Sequence, residues 1–143
     1  MDSAASSSSS ASRIWAPPHR GYFKLNTDGS WMNLENAGGG GVIRCQKGLW
    51  QDGFAVNFNV ASATSAKLLA IREGLLIAWK RKIEILELET DADALSKMLK
   101  NPEAFLDNDL GNIIRDVAAL LNRNWKVTIF FMQEELATLL LTN

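Results

Sequence analysis

The chain of 143 residues holds one cysteine, Cys45, and one histidine, His19. A single thiol excludes an internal disulfide and a cysteine-built zinc site, and it suits a reducing intracellular compartment, cytoplasm or nucleus. A lone imidazole with no partner near in sequence reads as an exposed loop side chain, which argues against Ser-His or Cys-His catalysis. Excess charge is missing too. With 15 Lys+Arg against 16 Asp+Glu the formal net charge is -1, so the basic footprint of an autonomous nucleic-acid binder is lacking and any nucleic-acid contact must be local. No apolar run approaches the length of a bilayer span, and no membrane partner is expected. The first dozen residues, MDSAASSSSSAS, lack the apolar core of a secretory signal. They read as a disordered Ser/Ala tail over residues 1–13, with a plastid or mitochondrial leader left open.

What remains is enough for one domain. Residues 14–22 form an extended linker fixed by Pro17-Pro18, with Trp15 as an apolar anchor, and residues 23–143 carry the fold. The 47% hydrophobic content is sufficient for a single core without metal or disulfide staples.

Lys24 to Ser30, KLNTDGS, alternates as a short strand, and Gly29-Ser30 is expected to stop it, leaving Asp28 at its turn end. Alone, such an acid is more often a turn cap than a ligand or base. A second acid, Asp91, ends another apolar strand, Ile83 to Asp91 (IEILELETD). Between them, Asn36 to Gly41 reads as a turn followed by glycines that lead into Val42-Ile43-Arg44. No Gly-Lys-Ser/Thr follows, which excludes a P-loop and favours close backbone approach. Gln46-Lys47-Gly48 turns the chain into Leu49 to Asn59, with Phe54, Val56 and Phe58 on one face.

From Ala63 to Lys82 the period becomes helical, and Lys80-Arg81-Lys82 at its end complements the helix dipole better than it argues for nucleic acid. With Thr64 as the expected N-cap, Lys67 falls at the third helical position, where a capping box and the dipole both favour an acid. Downstream, Ala92 to Lys100 reads as a short helix broken by Asn101-Pro102. A helix over Asn108 to Asn122, a strand over Trp125 to Phe131 and a closing helix over Gln133 to Leu141 follow. A strand after a helix after a meander implies a crossover, which sets the fourth strand parallel to the first and brings Asp28 near Asp91.

This order resembles the ribonuclease H fold, and within it the plant RNase H-like domains of reverse-transcriptase origin. The segments that carry the resemblance are WAPP…G at Trp15 to Gly21, KLNTDGS, AGGGGVIR at Ala37 to Arg44, GLWQDGF at Gly48 to Phe54, SAKLLAIREGLLIAW at Ser65 to Trp79, and ELETDAD at Glu87 to Asp93. The resemblance implies an α/β fold with a five-stranded mixed sheet, three antiparallel strands and then two parallel, flanked by helices.

It also implies a function. In that family four carboxylates hold two Mg²⁺ ions that drive cleavage of the RNA strand of an RNA/DNA hybrid. The family's first and third acids map onto Asp28 and Asp91. Its helical Glu falls on Lys67, and its last Asp has no counterpart in MQEELATLLLTN, where an ungapped reading finds Leu. Going from four anionic ligands to two plus an ammonium moves the local formal charge from about -4 to about -1. One Mg²⁺ is then expected to bind weakly, and two are not. Among Glu73, Glu87, Glu89, Asp93, Glu134 and Glu135, only Asp93 merits testing as a substitute metal ligand. Glu73 lies about 240° round the helix from Lys67, and the others read as solvated.

The leading expectation is therefore a nucleic-acid-binding RNase H-like domain with little or no cleavage. The alternatives are a working Mg²⁺-dependent hybrid ribonuclease with rearranged ligands, and a protein-interaction module that uses Trp15, Trp31 or Trp50. Nothing in the sequence names a protein partner.

Overall fold

The computed structural model describes residues 21–107 and 109–131. The tail, Trp15, His19 and the expected closing helix with Glu134 and Glu135 lie outside the described residues. Three strands open the fold: β1 (Phe23–Asn33), β2 (Asn36–Arg44) and β3 (Trp50–Phe58), each antiparallel to the next. Helix α1 (Ala63–Lys80) carries the chain over to β4 (Ile85–Thr90), which pairs parallel with β1 from Phe23↔Leu86 to Asn26↔Glu89. Helix α2 (Asp93–Lys100), a 3₁₀ turn (Pro102–Phe105) and α3 (Gly111–Leu121) lead into β5 (Lys126–Phe131), parallel to β4. The sheet order is β3-β2-β1-β4-β5, so the expected mixed sheet, with its antiparallel half and its parallel half, is present.

The core lies between this sheet and the helices. Leu25 of β1, Ile43 of β2 and Leu86 and Leu88 of β4 point one way and meet Leu68, Ile71 and Leu75 of α1 and Ile114 and Val117 of α3, all of them buried. Each such side chain contributes about 1.5–3 kcal/mol by leaving water. Trp79 and Trp125 close the far end of the core edge to face, their rings 5.2 Å apart.

Several boundaries differ from expectation for identifiable reasons. Gly29-Ser30 does not stop β1, which runs on to Asn33. The turn comes at Asn33, whose side-chain oxygen accepts from the backbone N–H groups of Glu35 and Asn36, each at 3.0 Å. Gly29 serves proximity instead: a Cβ there would sit 2.6 Å from the backbone of Ala66 and Lys67. The glycines of β2 are likewise all strand, and at Gly39 a Cβ would meet Ala70 Cβ at 2.8 Å, so close approach does explain that segment. Helix α1 is capped by Ser62, not Thr64, through Ser62 Oγ accepting from Ser65 N at 3.1 Å.

At its other end α1 stops at Lys80 rather than Lys82. Lys82 adopts a left-handed conformation (φ 62°), its N–H donates to Trp79 O at 2.9 Å, and Ile83 N–H donates to Ala78 O at 3.2 Å. These two bonds make the Schellman closure usually built around glycine.

Candidate functional site

The first and fourth strands share a pattern. Lys24-Leu25-Asn26-Thr27-Asp28 and Glu87-Leu88-Glu89-Thr90-Asp91 both read x-Leu-x-Thr-Asp, and the parallel pairing sets Lys24 beside Glu87, Leu25 beside Leu88 and Asn26 beside Glu89. Two residues beyond the last of these pairs come Asp28 and Asp91. Side chains alternate along a strand, so the leucines and threonines go to the helical face. Asp28 and Asp91 are carried to the other face, where the paired section of β1 and β4 ends.

Lys67 reaches them from α1. Counted from the Ser62 cap it is the fifth helical residue rather than the third, a full turn in, where the dipole that disfavours a cation has fallen off. The backbone approach at Gly29 brings this turn against β1. Lys67 Nζ lies 2.5 Å from Asp28 Oδ1 and 3.7 Å from Asp91 Oδ1. Asp28 Oδ1 also accepts from Gly29 N at 2.8 Å. Burial alone would push the Lys67 ammonium down. The hydrogen bond and charge of Asp28, followed by the charge of Asp91, outweigh that burial, and its pKa is raised above the ordinary lysine value. The site is a seated ammonium bridging two carboxylates, with a formal charge of two negatives and one positive.

The other acids fall elsewhere. Asp93, the first residue of α2, is 55% exposed and pairs with Lys97 at 3.1 Å one turn along, the structural role open to an acid at a helix N-terminus. Glu73 lies beside Arg72 at 4.0 Å. Among the described residues no three His, Cys, Asp or Glu side chains are grouped so as to hold a metal ion.

Glu87 and Glu89 correct an expectation, because neither is solvated. Glu87 is buried, and Glu89, with 11% of its side chain exposed, lies 3.7 Å from Lys24 Nζ and accepts from Asn26 Nδ2 at 2.6 Å. Buried charges persist where such partners exist. Sequence reasoning missed this row of Lys24, Asn26, Glu87 and Glu89 beneath the aspartates. The repeated x-Leu-x-Thr-Asp pattern is the signal that could have found it.

Of the tryptophans named for a protein interaction, Trp31 and Trp50 lie among the described residues and are exposed. Trp50 is 65% exposed and Trp31 40%, the latter with its indole N–H donating to Val60 O at 2.8 Å. No described helix is long and apolar enough to cross a membrane.

Comparison with known proteins agrees with this architecture. The family model described as reverse transcriptase-like matches residues 26–138. An Arabidopsis thaliana protein provisionally named a ribonuclease H protein is 34% identical over 122 residues, which is 85% of this chain and 20% of that protein. The chain thus spans about a fifth of that relative's length. Among solved structures, RNase H1 of the halophilic archaeon Halobacterium salinarum superimposes with a TM-score of 0.72 at 19% identity, covering 80% of this chain and 87% of the other. LC11-RNase H1, solved in complex with an RNA/DNA hybrid, gives 0.69 at 15% identity, with 79% and 86% covered.

Proposed function

The chain belongs to the reverse transcriptase-like family and has the ribonuclease H fold, and from that premise we propose that it is a nucleic-acid-binding domain in which hybrid cleavage is impaired or absent. The observation that carries this reading is the Lys67 ammonium held between Asp28 and Asp91.

The donor set among the described residues does not fit a pair of Mg²⁺ ions. Hard cations need several oxygen ligands, and here two carboxylates already share an ammonium. A unit charge some 4 Å from another is repelled by about 4 kcal/mol at an effective dielectric near 20, and a divalent ion feels twice that. An incoming metal must either expel Lys67 or bear that repulsion. Without paired metals to generate a hydroxide and stabilise the leaving oxygen, hydrolysis loses its main source of acceleration. What the chain's own residues do at this point is hold Lys67 protonated and join α1 to β1 and β4.

Binding of an RNA/DNA hybrid is supported by the family resemblance and by a structural relative solved with such a hybrid. The test is a labelled hybrid duplex incubated with Mg²⁺ or Mn²⁺. Binding without cleavage is expected. Cleavage that disappears in Asp28→Asn would establish instead a working ribonuclease with rearranged ligands. The exposed Trp31 and Trp50 favour a second reading, a protein-interaction module, and absence of hybrid binding even at low salt would select it, because phosphate contacts strengthen as salt falls.

A further inference from the structure

The end of the sheet remote from Asp28 and Asp91 carries a group of cations that the crevice does not use. We propose that Arg123 and Lys126, with Lys80 and Lys82 beside them, form a second contact for the nucleic acid, directed at its phosphate backbone. The proposal rests on the nucleic-acid-binding reading and adds where the phosphates are held.

Four elements meet there. Helix α1 ends at Lys80, with Arg81 as its cap and Lys82 just beyond, and α3 ends at Leu121, two residues before Arg123. Lys126 opens β5 opposite Ile85 of β4, and its backbone N–H donates to Glu84 O at 2.9 Å. From Ile85 to Asp91 is six strand residues, so this corner lies about 20 Å from the aspartates.

Two of the cations are held by aromatic side chains, Arg123 on a ring face and Lys126 at a phenol hydroxyl. The Arg123 guanidinium sits 5.2 Å from the centre of the Trp79 ring. The Lys126 ammonium sits 5.8 Å from the centre of the Tyr22 ring and donates to the Tyr22 hydroxyl at 3.3 Å. A guanidinium resting on a ring keeps its in-plane N–H groups free, and these match two phosphate oxygens at once.

Salt bridges commit some of the cations, and what sets this corner apart from other exposed cations without one, such as Lys47 and Lys100, is the clustering of its charges and the seating of Arg123 on Trp79. Arg72 is committed to Asp116 at 3.2 Å, Arg81 to Asp52 at 3.3 Å, and Lys97 to Asp93 at 3.1 Å. Arg123, Lys126, Lys80 and Lys82 have no salt bridge among the described residues, and nearby acids include Glu84, which is exposed, and Asp52, which is paired with Arg81. Helix dipoles account for Lys80, in the last turn of α1. They do not account for Lys126, which starts a strand, nor for the seating of Arg123 on Trp79. Clustered cations without a salt bridge, two of them held by aromatic side chains, suit a regularly spaced polyanion.

The test is fluorescence anisotropy of a labelled RNA/DNA hybrid across a salt series. It uses the full chain, the double variant Arg123→Gln/Lys126→Gln, and a control that removes two exposed charges elsewhere, Lys47→Gln/Lys100→Gln. Thermal melting confirms that each is folded, and Arg123→Lys/Lys126→Arg, which keeps both charges, checks for loss of packing alone. If two phosphate contacts are lost, the first variant binds about tenfold more weakly and its log-log salt slope becomes shallower by about two. The control stays near wild type, and the charge-preserving variant recovers most of the affinity. Unchanged binding in the first variant, or an equal loss in the control, overturns this contact while leaving the nucleic-acid reading standing. No binding by the wild-type chain at low salt removes that reading, and this contact with it.

Discussion

Lys67→Glu reverses the sign of the one group on which the crevice turns. In the wild-type chain the ammonium lies 2.5 Å and 3.7 Å from two carboxylates. The substitution exchanges two attractions for two repulsions and takes the local formal charge from -1 to -3, counting Asp28, Asp91 and residue 67. Such pairs are worth about 4 kcal/mol each at an effective dielectric near 20. Asp28 is 63% exposed, however, and solvent screening at so open a site reduces each pair to about 1 kcal/mol or less. The net loss in chelator is then about 2–3 kcal/mol, a fall in melting temperature of about 10 °C for a domain of this size.

Mg²⁺ should reverse the loss. Three carboxylates suit a hard cation, and binding to the folded state alone restores about 2.7 kcal/mol when free Mg²⁺ is about a hundred times its Kd. Scanning calorimetry in EDTA and across a Mg²⁺ titration reads both effects, with the wild-type melting temperature flat throughout. A wild-type chain that gains stability from Mg²⁺ as the variant does would refute the ammonium-filled crevice. A variant indifferent to Mg²⁺ would show that residue 67 does not face the acids.

Two further substitutions probe the scaffold. Gly29→Ala places a methyl group 2.6 Å from the backbone of α1, which must retreat, and a loss of about 2–3 kcal/mol is expected; a urea midpoint equal to wild type would show that no close approach exists there. Lys82→Gly relieves a left-handed lysine (φ 62°) and should stabilise the chain by about 1 kcal/mol, with the contrary outcome being a midpoint that falls.

The sheet was legible because period and connection length constrain it. Alternation through Leu25 and Thr27, the helical spacing of Leu68, Ile71 and Leu75, and the crossover between them leave few arrangements other than the one observed. The meeting of Asp28 with Asp91 followed from the same topology. Local chemistry was less readable. Gly29 looks the same in sequence whether it ends a strand or admits a helix, and Ser62 and Thr64 are both competent caps, so the position of Lys67 within α1 could not be fixed. Glu87 and Glu89 read as solvated because the residues set beside them, Lys24 and Asn26, lie about sixty residues away, across a pairing whose register sequence spacing alone does not specify.

The pairing of β1 with β4 stops at Asn26 and Glu89, and past it the chains are joined through a side chain of α1. An ion performing that service would come and go with its supply. An amine on its own covalent stem has no dissociated state to enter, and its effective concentration is set by tether geometry rather than by the surroundings. The junction of helix and sheet at Lys67 is therefore supplied by the chain's own side chain.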